Sequence, residues 1–129
     1  MPRYLSREWL DAAQRAIDAS TSVREAASGA DFVVQHVVTG GSDGAVTYHV
    51  RVGEDGVRIC NGGAVDPTVV FTEDYSTAAA IGRGELSAQA AFMAGRIRVR
   101  GDLPRLVEQS GAFSEIEDAL AGLRSETSY

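Results

Sequence analysis

The apolar residues of this chain change period once. From Phe32 to Thr72 they alternate or gather in β-branched blocks, and from Asp74 onward they recur every third or fourth residue, with one return to alternation around Ile97. Alternation lines one face of a strand, whereas three-to-four spacing lines one stripe of a helix. A chain that contains both must stack a sheet against helices to bury the two apolar surfaces together.

The strands follow from that pattern. Phe32–Thr39 is rich in valine; Val46–Val52 alternates, with Val46, Tyr48, Val50 and Val52 on one face; Val57–Cys60 is a short third strand. Turns at Gly40-Gly41-Ser42-Asp43-Gly44 and Gly53-Glu54-Asp55-Gly56 link these three as antiparallel hairpins. Asn61-Gly62-Gly63 and Asp66-Pro67 interrupt the pattern before a fourth strand, Thr68–Thr72, and Ile97–Arg100 is the fifth.

Helices fill the rest. Tyr4–Ala19 carries Leu5, Trp9, Ala13, Ala16 and Ile17 at helical spacing behind an N-cap at Ser6, and a small, polar connector, Ser20–Gly29, leads to the sheet. Asp74–Ile81 is a helix stopped by Gly82, and Ser87–Ala94 is one capped by Ser87 and ended by Gly95. Gly101-Asp102 opens a helix with Leu103, Leu106 and Val107 on one side. Ser114 and Glu117 form a capping-box pattern opening a last helix with Ile116, Leu120 and Leu123 in one stripe. The predicted fold is α+β, a single mixed five-stranded sheet with helices packed on one face. With 129 residues, no internal repeat and no long linker, one domain spanning residues 1–129 is expected.

Charge and cysteine content narrow the function. The net charge is -6 and all 12 basic residues are arginine, so binding to a nucleic-acid backbone is not expected. The arginine-only usage suggests a bacterial genome rich in G and C. One cysteine, Cys60, and no signal segment point to a cytoplasmic location. No apolar run reaches the ~20 residues of a membrane span, so integral membrane contact is not expected.

The stretch Gly84-Glu85-Leu86-Ser87-Ala88-Gln89-Ala90-Ala91-Phe92-Met93-Ala94-Gly95-Arg96-Ile97-Arg98-Val99-Arg100-Gly101-Asp102 is an ordered series. A Gly-x-Leu turn leads to a short helix with a Phe-Met pair, a glycine, a basic alternating strand and Gly-Asp. The series, and the order of elements from Asp31 to Tyr75, resembles the sterol carrier protein 2 family, and the resemblance covers roughly residues 31–123. It implies a five-stranded sheet covered by helices, with an apolar tunnel between the layers that holds sterols, fatty acids, acyl-CoA thioesters or phospholipids with loose selectivity. The chain departs from the family in its sizeable N-terminal helix, residues 4–19 with Trp9, and in its lack of lysine. The predicted role is a lipid-binding or carrier protein, not an enzyme, with no cofactor and with an apolar small molecule as partner.

Strand alternation and helix stripes then nominate a wall for the ligand: Tyr48, Val69, Phe71, Phe92, Met93, Val99, Leu106, Phe113, Ile116 and Leu120. Arg96, Arg98 and Arg100 share one strand face and are candidates for a ligand head group or for transient contact with an anionic membrane surface, although a solvated strand face explains them as well. The last helix has few anchors and sits at the chain end, so it is the expected lid. A ~16-carbon chain at ~0.8 kcal/mol per methylene supplies ~12 kcal/mol of gross transfer free energy, so binding needs no reactive group.

Gly40-Gly41-Ser42-Asp43-Gly44 also matches the Gly-x-Ser-x-Gly pattern of hydrolase nucleophiles, but that chemistry requires a helix after the turn, and a strand is predicted there. His36 and His49 would face each other if the hairpin were centred between Ser42 and Asp43, with Val34, Val38, Thr47 and Arg51 beside them and no further ligand for a metal. Cys60 reads as a small strand residue. The competing function is a non-catalytic interaction or dimerisation module with a closed core; a small enzyme is the third, since no nucleophile and base are grouped. A continuous apolar cavity of roughly 300 Å³ or more separates the first reading from the second.

Overall fold

A computed structural model describes residues 1–42 and 44–129. The elements are α1 (Arg7–Ala19), α2 (Thr21–Ala27), β1 (Phe32–Gly41), β2 (Gly44–Gly53), β3 (Gly56–Asn61), β4 (Val69–Asp74), α3 (Tyr75–Gly82), α4 (Ala88–Met93), β5 (Ile97–Gly101), α5 (Leu103–Glu108) and α6 (Ser110–Ala121). A short 3-10 turn, Arg124–Glu126, follows. All five strands join one mixed sheet in the order β3-β2-β1-β4-β5, with β1 and β4 parallel and the other pairs antiparallel. The fold is α+β as the period change implies.

The N-caps explain where several helices start. The Ser6 hydroxyl accepts from Trp9 N at 3.1 Å, Ser20 from Val23 N at 3.2 Å, and Ser87 from Ala90 N at 3.0 Å. The Asp74 carboxylate accepts from Thr77 N at 2.7 Å, and these hydrogen bonds from Thr77 hold its carboxyl below the ordinary range.

Two predicted boundaries move. Ser20–Gly29 is not a bare connector, because α2 forms there and buries Val23 and Ala27. The last helix starts at Ser110, not at a Ser114 capping box, because Gln109 joins α5 to α6. Its side-chain oxygen accepts from Asp31 N at 2.7 Å, while Arg105 donates to the Asp31 carbonyl at 2.6 Å, so the junction is pinned to the start of β1.

The first hairpin is registered one residue away from the symmetric expectation. His36 pairs with Tyr48, and His49 with Gln35, so the two histidines lie on opposite faces. The cause is an irregularity between Val38 and Gly41, where Gly40 takes a φ of 74° that other residues rarely adopt. Asp43 of the Gly-x-Ser-x-Gly match lies outside the described residues. Strand β2 follows that match at Gly44, so the strand–turn–helix setting of a nucleophile elbow is not formed.

On the helix side of the sheet the core gathers Trp9, Ala13, Ile17, Val23, Phe32, Val34, Val52 and Val57. Gln14 fixes α1 to the edge strand β3, accepting from Ile59 N at 2.7 Å and donating to the Val57 carbonyl at 3.0 Å. On the other face the segment after β3 folds back. Ala64 N donates to Gln35 at 2.9 Å, and His49 Nδ1 donates to the Gly62 carbonyl at 2.8 Å.

Candidate ligand cavity

Between the sheet and the later helices the packing stops short of contact and leaves a cavity of about 760 Å³. Strands supply Phe32, Val34, Tyr48, Val50, Phe71, Ile97 and Val99 from inward-facing positions. Helix α6 supplies Phe113, Ile116, Glu117 and Leu120 from one stripe, and α3 and α4 supply Ala78, Ile81 and Phe92.

Seven rings run along the wall. From Tyr129 the centroid spacings are 4.9 Å to Tyr4, 5.1 Å to Trp9, 6.5 Å to Tyr48, 4.8 Å to His36, 5.5 Å to Phe71 and 6.1 Å to Phe113. Such edge and offset contacts stiffen a wall without filling it. The two ends of the chain bring Tyr4 and Tyr129 together, with Tyr4 N donating to the Ser128 carbonyl and Ser128 N to the Pro2 carbonyl, each at 2.8 Å.

A few polar groups interrupt the apolar wall. His36 Nδ1 lies 3.8 Å from a Glu73 oxygen on the neighbouring strand, with both side chains nearly enclosed. The Glu117 carboxyl faces them from α6: burial pushes its pKa up, Glu73 pushes it further, and His36 partly offsets both. Glu117 is an exposed residue that also lines the cavity. Burial likewise raises the phenols of Tyr4 and Tyr48. At the rim Arg124 donates to the Gly82 carbonyl at 2.6 Å, and Arg83 lies over the Tyr129 ring at 5.6 Å.

Of the ten nominated wall residues, the structure places Tyr48, Phe71, Phe92, Val99, Phe113, Ile116 and Leu120 at the cavity. Val69 and Leu106 are buried in the core cluster instead, and Met93 points outward with 78% of its surface exposed. Arg98 and Arg100 alternate with the inward-facing Ile97 and Val99, so they project from the opposite face of the sheet, and Arg96 lies just before β5; none of the three lines the cavity. Arg96 Nε donates to the Thr77 hydroxyl at 3.1 Å, which accounts for that guanidinium. Trp9, expected only as a packing residue, is also wall, and His36, Glu73 and Glu117 were not foreseen there. A polar residue at an inward strand position, His36, was the one available signal. The expected lid, α6, buries Ala112 and Ile116, while α4 buries only Ala91 and α5 only Leu106.

No curated protein matches the sequence. A crystal structure of sterol carrier protein 2 superposes with a TM-score of 0.74 at 20% identity, covering 92% of this chain and 98% of that one. A conserved hypothetical protein of Thermus thermophilus gives 0.73 at 19% identity, covering 95% and 91%. Palmitated SCP2L2 from Aedes aegypti gives 0.56 at 16% identity, covering 89% and 94%. At such identities these structures speak for the fold. The sequence itself matches the profile of the SCP-2 sterol transfer family over residues 10–114, which begins inside α1 and runs into α6. On that match the chain belongs to the SCP-2 sterol transfer family.

Proposed function

We propose that the protein holds a long apolar molecule in the cavity and transfers it without altering it. The observation that carries this reading is the cavity of about 760 Å³, open on one side, with a mostly apolar, aromatic wall. It falls in the range of ~300–1,000 Å³ typical of small-molecule sites, and a closed interaction core would not leave such a space. Family membership supports lipid transfer, and one structural relative is described as palmitated.

Access is through α4 and α5. Each is six residues long and is held by a single buried side chain, so local opening there is easier than anywhere else in the helical layer. Phe92, Met93, Leu103 and Val107 are exposed on these helices. They suit brief contact with a membrane from which the cargo is drawn, with Arg96, Arg98 and Arg100 close by in the chain.

Native mass spectrometry of freshly purified protein tests the reading. A co-purified lipid, or stoichiometric uptake of an added sixteen-carbon chain, is expected. Met93→Trp should leave that uptake unchanged, because Met93 is outside the wall. Absence of uptake across single-chain lipids and sterols would contradict the carrier role.

A further inference from the structure

The wall of an apolar cavity should be apolar throughout, and this one is not. On α6 the residues lining the cavity are Phe113, Ile116, Glu117, Asp118, Leu120 and Ala121, so two carboxyls interrupt its apolar stripe, and Glu117 is the one that couples to His36 and Glu73. Opposite it, β1 and β4 run parallel with His36 level with Phe71, which brings Glu73 onto the same face. His36 is stacked between Tyr48 and Phe71, with interplanar angles of 12° and 28°, so its ring edge is what remains for polar contact.

These groups have unmet hydrogen-bonding capacity. His36 Nδ1 is buried without a hydrogen-bond partner, and its 3.8 Å separation from Glu73 is too long for a hydrogen bond. The Glu73 side chain is only 10% exposed, and among the described residues no hydrogen bond engages the carboxyl of Glu73 or of Glu117. Of these groups His36 Nδ1 is the fully buried one, and a buried polar atom left in this state is strongly disfavoured unless a partner arrives. Among the described residues no group of three His, Cys, Asp or Glu has the spacing of a metal site, so a cation held by protein ligands is not the answer.

An ionised carboxylate only accepts hydrogen bonds, and a neutral imidazole supplies one donor and one acceptor. The partner that fits is therefore a hydrogen-bond donor without negative charge. A ligand carboxylate or phosphate would bring a further negative charge beside the carboxyls of Glu73, Glu117 and Asp118. Arg124, the one arginine in the described wall, donates instead to the Gly82 carbonyl at the rim.

We propose that His36, Glu73 and Glu117 form an internal recognition site for the polar end of the cargo, selecting a hydroxyl or amine and rejecting a free acid. The inference rests on the carrier reading and deepens it: the cargo is an apolar alcohol or amine, with its polar end held inside the cavity against the sheet.

The test compares three probes of equal chain length, hexadecanol, hexadecylamine and palmitate, delivered from cyclodextrin at neutral pH and measured by displacement of a fluorescent apolar dye. The wild type should bind the alcohol and the amine at least about tenfold more tightly than the acid. In the Glu73→Gln/Glu117→Gln double variant the acid should gain and the amine should lose about tenfold, with the alcohol nearly unchanged. If that variant does not fold, the single Glu117→Gln variant and the wild-type order decide alone. Palmitate binding as tightly as the alcohol and the amine would overturn this inference and leave the carrier role standing. An unchanged probe order in a folded double variant would do the same. Failure of all three probes to bind would remove both.

Discussion

The two halves of the helical layer are built from similar residues and end differently. Over β1–β3, helix α1 buries Trp9, Leu10, Ala13 and Ile17, and α2 buries Val23 and Ala27. On the other side, α4 beside β5 and α5 beside α6 bury one side chain each. Full burial of an Ile or Leu side chain contributes ~1.5–3 kcal/mol, so α1 is anchored several times more strongly than α4, whose anchor is a single alanine methyl. The packed half therefore sets the stability of the fold, and the hollow half sets how the cavity opens, while Trp9, Tyr48 and Val50 of the packed half supply part of its wall. Phe71 and Phe113 pack only partly against the core, with ring centroids 6.1 Å apart, and both still line the cavity.

The largest predicted effect falls on the packed half. Ile17→Ala removes a side chain that is 2% exposed and should lower unfolding free energy by ~2–5 kcal/mol in denaturant titration, with chain affinity unaffected while the protein stays folded. Its counterpart on the hollow half is Val99→Trp, which adds bulk at the wall. It should weaken chain binding by about tenfold while changing stability by less than ~1.5 kcal/mol, since existing space accepts the ring. A large stability loss in Val99→Trp would mean that the space is not free.

Matched cap deletions sharpen the contrast. Ser6→Ala and Ser87→Ala each remove one hydroxyl that accepts from a backbone N–H. The first should lower global stability by ~1 kcal/mol, because α1 belongs to the cooperative unit. The second should leave the melting temperature almost unmoved and instead accelerate amide exchange in α4, because that helix can open locally. Equal shifts in melting temperature would contradict the division into halves.

A smaller effect concerns Glu117. Burial raises its pKa above the ordinary 4.5, so the folded state holds its proton more tightly than the unfolded chain does. Stability from this group is then fully present below the unfolded value and is lost as pH rises through the folded one. Glu117→Gln should be more stable than the wild type at pH 7, and the gap should close near pH 4 in paired thermal melts. A wild type that gains on Glu117→Gln as pH rises would place this carboxyl in a favourable ion pair.

The sheet was legible because it depends on local alternation: all five predicted strands form, with ends displaced by at most two residues. What failed depends on information that is not local. Helix α2 looked like a linker because Ser20–Gly29 is small and polar, and only its packing on α6 reveals Val23 and Ala27 as a buried pair. The hairpin register turned on one irregularity at Gly40, which moved His49 to the far face and left His36 in the cavity. For the candidate site, alternation gave the inward strand face, on which Tyr48, Phe71 and Val99 line the cavity and Val69 is core instead. Positions on short helices are less legible: α4 buries Ala91 and brings Phe92 to the cavity, but turns Met93 outward. Glu117 was hidden because a capping box explains a glutamate three residues after a serine equally well.

The most direct test of the division between halves is an amide-shift titration by two-dimensional NMR with hexadecanol. The account predicts saturable shifts in α4, α5, the cavity face of α6 and the inward positions of β4 and β5, with Thr21–Ala27 of α2 unmoved. Shifts gathered on the outer sheet face around Arg98 and Arg100, or no shifts at all under conditions where the protein is folded, would contradict it.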